Sequence, residues 1–301
     1  MAFENTRRAL AGTYHDVLKN QTFQAAAALS YYSILCIFPA LIVLSAVMSY
    51  IPLPNFFQDA LIAVGRVVPP GTMPMVDAVL KDILSANPGA WLSLGTLGTL
   101  WVVSSAFVEV IEALDAAYEV NDNRPFWKIR LLALGLAAVT AAFLICAIAT
   151  MIVSPRVGDW LASRMSLAGA FALLWPYIHW TIAIGFTVLA VETIYFLAPK
   201  VKQRFLATLP GAVLSVVCWS GLSFLLRIYF RYFGNYNRTY GTLAGVMALM
   251  TWLYWAYFIL LAGGELNAEL AKAQNSFRLS TGRIAADNAR DTGTVGLTIG
   301  S

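Results

Sequence analysis

The chain has 301 residues, of which 59% are hydrophobic and 12% charged, against about 45–50% and about 25% in an average soluble domain. So little charge cannot coat a water-soluble globule of this size, and so much apolar sequence excludes intrinsic disorder, which needs low hydrophobicity and high net charge. The net charge of +4 is too weak a bias for a nucleic-acid binder, so no nucleic-acid partner is expected.

Taken in chain order, residues 1–22 are expected to hold an amphipathic helix over Phe3–Leu18. It places Phe3, Leu10, Tyr14 and Val17 on one face beside Arg7 and Arg8, and such a helix lies in the headgroup plane. Residues 23–272 then contain six runs near the length of about 20 residues that a spanning helix requires. They are Phe23–Ile51, Ala90–Val108, Leu131–Val153, Phe171–Val191, Leu206–Leu226 and Gly241–Gly264, and none contains Asp, Glu, Lys or Arg. The connection between the first two, Pro52–Gly89, repeats apolar residues at helical spacing on both sides of Pro69-Pro70-Gly71, which predicts two short amphipathic outer helices. Residues 273–301 are polar and rich in Gly, Ser and Thr, and a disordered tail is expected there.

The expected fold is therefore an all-α polytopic membrane protein with six transmembrane helices. Its orientation follows from the basic residues. Thirteen lie on one side: Arg7, Arg8, Lys19, Arg124, Lys128, Arg130, Lys200, Lys202, Arg204, Lys272, Arg278, Arg283 and Arg290. Seven lie on the other: Arg66, Lys81, Arg156, Arg164, Arg227, Arg231 and Arg238. The richer side is expected to be cytoplasmic, with both termini inside.

Two groups of residues stand out against this apolar background. Glu109 and Glu112 leave the second run one helical turn apart, Glu192 leaves the fourth, and Glu265 and Glu269 leave the sixth one turn apart. All five come near the inner boundary. One reading is a lattice of ion pairs with Arg124, Lys128, Arg130 and the Lys200–Arg204 cluster. The other is a proton or cation relay at the inner gate of a transporter, with Glu192 and Glu265 foremost because unbroken apolar sequence precedes each. The second group sits where the positive-inside rule is broken, between runs five and six. Arg227 and Arg231 share a helix face, and Asn235, Arg238 and Tyr240 follow. That stretch is either an ordinary aromatic and arginine membrane anchor or an anion site in which guanidinium groups grip a phosphate-bearing headgroup.

Other chemistries find less support. The three cysteines, Cys36, Cys146 and Cys218, all fall in apolar runs, where packing explains them and neither a disulfide framework nor a zinc site is expected. The two histidines, His15 and His179, fall at different depths and cannot share a metal. No phosphate loop or nucleophile elbow is present, so no cofactor and no enzymatic activity are expected. Small residues suit close helix packing, with Ala26, Ser30 and Ser33 on one face of the first run and a G-x-x-x-G at Gly241 and Gly245. Their role is within one subunit or at a homo-oligomer face.

Several segments carry a resemblance. Phe23-Gln24-Ala25-Ala26-Ala27-Ala28-Leu29-Ser30-Tyr31-Tyr32-Ser33 with Phe38-Pro39, Val108-Glu109-Val110-Ile111-Glu112-Ala113-Leu114, Leu209-Pro210-Gly211-Ala212, Tyr240-Gly241-Thr242-Leu243-Ala244-Gly245-Val246 and Gly263-Gly264-Glu265-Leu266-Asn267-Ala268-Glu269-Leu270 resemble the YihY/BrkB family of bacterial integral membrane proteins. The resemblance covers roughly residues 5–272 and implies a six-helix protein of the bacterial inner membrane. The family has also carried the label ribonuclease BN, but metal-dependent RNA cleavage needs clustered His and carboxylates, which this chain does not supply. Two function classes follow. One is a transporter or lipid-translocating protein that handles an anionic amphiphile among the membrane lipids, and the other is a non-transporting scaffold for envelope assembly. No charge lies at mid-depth in any run, which disfavours a small-ion pump with a central site.

Overall fold

The computed structural model describes residues 12–50, 88–164, 168–232 and 242–295. Every regular element among them is helical. A short helix, α1, covers 12–19, and six longer ones follow: α2 (Thr22–Tyr50), α3 (Pro88–Ala117), α4 (Phe126–Arg164), α5 (Ala168–Leu197), α6 (Phe205–Tyr232) and α7 (Thr242–Val295). The stretches Leu97–Ala117, Phe126–Val153, Tyr177–Leu197, Phe205–Tyr229 and Gly245–Ala273 are long and apolar enough to cross a membrane. The chain is a multi-pass membrane protein. α2 has 29 residues, about 43 Å at 1.5 Å per residue, although side chains in its second half lie outside the described residues, as do the expected outer helices between runs one and two.

The helix boundaries follow from local chemistry. Pro88 opens α3, where its missing N–H removes no helical bond. The same helix ends with Glu119 at φ 54°, while Glu119 N–H bonds the Ala116 carbonyl and Val120 N–H bonds the Asp115 carbonyl. This is a Schellman turn with an acidic residue where glycine is the usual choice. Pro199 follows the end of α5 and cannot continue it.

The six long helices pack as a closed circuit. α2 lies against α3, α3 against α4, α4 against α5, α5 against α6, α6 against α7, and α7 returns to α2 while also touching α3. The core gathers toward one end, around Leu29, Ile111, Leu114, Leu136, Tyr195 and Leu261. On the outside, large apolar side chains such as Leu144, Ile145, Val217, Phe224 and Leu225 are exposed, as a lipid-facing surface requires.

Three expectations need amendment. The helices outrun the apolar segments, because polar positions continue the helix once they find partners; Glu109, Glu112, Glu192, Glu265 and Glu269 therefore lie within α3, α5 and α7 rather than past their ends. Beyond Lys272, where a disordered tail is expected, α7 continues to Val295. Extension from a formed helix needs no new nucleus. Finally, Cys146 and Cys218 are exposed on their helices, and only Cys36 is half-buried.

Candidate functional site

At the core end of the bundle the helices bury a set of polar groups. Glu192 on α5 is 0% exposed and Glu265 on α7 is 2% exposed. Glu192 Oε1 accepts the hydroxyl of Thr208 on α6. Glu265 Oε1 accepts Asn20 Nδ2 at 2.9 Å, from the turn between α1 and α2. The second oxygen of each carboxyl is buried with no hydrogen-bond partner among the described residues, and so is the Tyr118 hydroxyl. Burial pushes the Tyr118 phenol well above its usual range, and the nearby charge of Glu192 adds to the effect.

A second set of contacts joins α6 to α7 beside these carboxyls. Asn267 accepts the Gly211 backbone N–H at 2.9 Å and donates to the Thr208 carbonyl at 2.8 Å, on either side of Pro210 within α6. Tyr195 shares a hydrogen bond of 2.7 Å with Ser215 and donates to the Leu260 carbonyl. The backbones come very close here. A Cβ at Gly263 would overlap Ser215 Oγ and the Tyr195 hydroxyl, and one at Gly211 would overlap Asn267 and the Gly263 carbonyl. One helical turn further in, Ser215 and Tyr257 border a cavity of about 180 Å³ between α4, α5, α6 and α7. Its other walls are Leu144, Thr187, Val191, Val216, Trp219, Ala256, Ile259 and Leu260, so it is mostly apolar.

The five glutamates do not act as one group. Glu192 and Glu265 are buried with different partners, Thr208 and Asn20. Glu269 is partly buried and pairs with Lys272 at 2.9 Å; Glu109 is partly buried and Glu112 exposed. The expected lattice with the basic loops is corrected as well. Among the described residues, Arg124 pairs with Asp122 at 2.6 Å and Asp115 at 3.3 Å, and Lys200 faces Asp122 at 3.6 Å. Lys19 and Lys272 meet Glu119 at 3.3 and 3.4 Å. Lys272 also bonds Asp16 at 3.2 Å. Asp16, Asp115, Asp122, Glu119 and Glu269 take these bases, and among the described residues none of the bases forms an ion pair with the buried Glu192 or Glu265.

Asp122, Asp16 and Glu119 are held ionised. Burial opposes ionisation of Asp122, yet hydrogen bonds from the Arg124 backbone and side chain outweigh it and keep its carboxyl below the usual 3.8. Asp16 behaves alike, with burial overcome by Lys272 above all. The Lys19 hydrogen bond holds Glu119 low, with help from Lys272.

Of the arginine group, Arg227 is exposed near the end of α6. The side chain of Arg231, and Asn235, Arg238 and Tyr240, lie outside the described residues. Nor does His15 meet His179: they stand on α1 and α5, and among the described residues no three His, Cys, Asp or Glu side chains converge to hold a metal. Sequence reasoning missed Asn267, Thr208, Tyr195 and Ser215. Each is a polar residue in or beside an apolar run, and such a group needs a partner inside the membrane. That rule would have flagged them without naming their partners.

The family model described as virulence factor BrkB matches residues 13–287. The chain belongs to this family. It is 28% identical over 246 residues to the ribonuclease-like protein YfkH of Bacillus subtilis (strain 168), covering 82% of this chain and 89% of that one. It is 26% identical over 276 residues to a UPF0761 membrane protein of Xanthomonas oryzae pv. oryzae (strain PXO99A), covering 88% of this chain. A UPF0761 membrane protein of Xanthomonas campestris pv. campestris (strain 8004) is 26% identical over 269 residues, 87% of this chain. The chain spans 62% and 59% of the length of these two Xanthomonas relatives. No solved structure matches it.

Proposed function

We propose that this BrkB-family chain is a six-span carrier of the bacterial inner membrane for an anionic amphiphile, with Glu192 and Glu265 as protonatable groups at its cytoplasmic gate. One observation carries the reading: two carboxyls are buried inside the bundle, each has an oxygen with no hydrogen-bond partner among the described residues, and among those residues no base forms an ion pair with either, although Lys272 lies near enough to Glu265 to act on its charge. A buried carboxylate without a counter-charge is costly. The group must take up a proton, bind a passing cation or be opened to water, and a coupled carrier cycles between those conditions. The mostly apolar cavity beside Ser215 and Tyr257 suits the apolar part of such a substrate. Arg227, Arg231, Asn235, Arg238 and Tyr240 would receive its anionic head at the opposite end.

The scaffold reading draws support from the tight meeting of Gly211 and Gly263, which shuts the helices together. One experiment separates the two. In proteoliposomes with an imposed pH gradient, the parent protein should move a fluorescent anionic lysophospholipid across the bilayer. Correctly folded Glu192→Gln and Glu265→Gln variants should lose the dependence on the gradient, and Arg231→Ala should bind the lipid more weakly than Arg231→Lys, which keeps the charge but not the planar fork. Gradient-driven movement that survives in both Gln variants would remove the carboxyls from the mechanism, and no movement by the parent would leave the scaffold.

A further inference from the structure

Arg130 has no carboxylate partner among the described residues. Its Nη1 donates to Ser104 Oγ at 2.7 Å, to Ser105 Oγ at 2.9 Å and to the Trp101 carbonyl at 3.4 Å, all on α3. The guanidinium lies 4.5 Å from the centre of the Trp101 ring and 5.1 Å from that of Phe126. One edge of the fork is thus fixed by hydroxyls and the planes by aromatics. Along the other edge, Nε is buried with no partner, and Nη2 makes no hydrogen bond among the described residues.

The surroundings identify the face. Trp101 is 62% exposed and Phe126 65%, with Trp127 and Leu131 also exposed, so this side of the α3–α4 pair looks outward into lipid. Its depth follows from length. The stretch Phe126–Val153 has 28 residues, about 42 Å of helix against a hydrocarbon core of about 30 Å, so Arg130, in the second turn, falls in the headgroup layer. Lys128 is exposed two residues earlier, with its ammonium 5.3 Å from the centre of the Trp127 ring. Two cations stand at headgroup depth within an aromatic patch, and neither has an anion among the described residues.

We propose that the outward face between α3 and α4 is a binding site for an anionic phospholipid, whose headgroup phosphate is gripped by Arg130 with Lys128 as the second cation. Phosphate oxygens are the acceptors that a guanidinium edge takes bidentately, and the aromatic rings pack on the glycerol and upper acyl segments as interfacial Trp and Phe do. Ser104 and Ser105 supply no charge. Their work is to hold Nη1, which leaves Nε and Nη2 as the donors that no described residue takes. The site is separate from the buried carboxyls and does not require that the chain transport anything.

Native mass spectrometry of the detergent-purified full chain tests this, with phosphatidylglycerol as probe and phosphatidylcholine and inorganic phosphate as comparison arms. The parent should retain phosphatidylglycerol in preference to phosphatidylcholine, and inorganic phosphate should not displace it. Arg130→Gln should weaken retention about fivefold or more, the value of one basic residue at an anionic surface. Arg130→Lys should recover part of it, and the exposed Lys128→Gln, which cannot disturb packing, should weaken it too. An Arg231→Ala background keeps the site distinct from the arginine group that begins in the last turns of α6. Unchanged retention in Lys128→Gln and in folded Arg130→Gln would overturn the proposal. Displacement by inorganic phosphate would overturn the assignment to a lipid.

Discussion

Asn267 meets the backbone of α6 on both sides of Pro210, through its carbonyl to Gly211 and its amide nitrogen to Thr208. Pro210 removes the helical donor of the Leu206 carbonyl, and Asn267 holds the neighbouring backbone of that loosened turn at Thr208 and Gly211. Asn267→Ala removes a donor and an acceptor at once from a site 2% exposed. We expect a loss of about 1–2 kcal/mol, read from thermal unfolding in detergent. Asn267→Asp should cost more, because it keeps the acceptor for Gly211 but turns a charged oxygen toward the Thr208 carbonyl. Equal unfolding temperatures for the parent and Asn267→Ala would mean that α6 holds the turn around Pro210 without help from α7.

Helix against helix, the α6–α7 crossing is set by what is missing at Gly211 and Gly263. A single methyl at Gly263 would push on Ser215 and Tyr195 together and pry the pair apart, whereas Gly98 on α3 has nothing within 4 Å of where its Cβ would stand. Gly263→Ala should therefore lower stability by about 1–3 kcal/mol through overpacking. Gly98→Ala should raise it by up to about 1 kcal/mol, since alanine is the better helix former. Yield and unfolding temperature of the two purified variants check the pair. If both variants shift the same way, backbone propensity rather than the crossing governs. Much of this level was legible beforehand. Uninterrupted apolar runs at 90–108, 131–153, 171–191, 206–226 and 241–264 located five helices, because hydrophobic length is a local property of the chain. The identity of partners is not local. Glu192 and Glu265 were visible as unusual charges, but that Thr208 and Asn20 would answer them, and that Asp115 and Asp122 would take Arg124, depends on which helices come to lie side by side. Arg130 read as one more loop base for the same reason; its serines lie on another helix, 25 and 26 positions away.

For the molecule as a whole, the balance of basic residues predicts one orientation. With α2 counted beside the other five as a span, an even number of crossings returns the chain to the side on which it began. A reporter enzyme fused after Ser301 should be active only in the cytoplasm, and one inserted near Pro70 only on the outer side. An outer signal from the C-terminal fusion would mean that one helix does not cross. The circuit of six long helices explains why the ends of the sequence matter to the centre: the buried Glu265 on α7 is answered by Asn20, and Ser33 on α2 by Tyr257 at 2.5 Å.

Those two bonds join residues 245 and 224 positions apart. A ribosome adds about 5–20 residues per second, so the first long helix enters the bilayer roughly 10–50 s before the helix that completes its polar contacts has been made. Until then the Ser33 hydroxyl and the Asn20 amide have to be served by water, by lipid headgroups or by a helper at the insertion site. The seam between α2 and α7 is thus the last to close during synthesis, and a lesion there should reach the membrane as an unfinished chain that quality-control proteases can remove, rather than as a finished protein with a weakened joint.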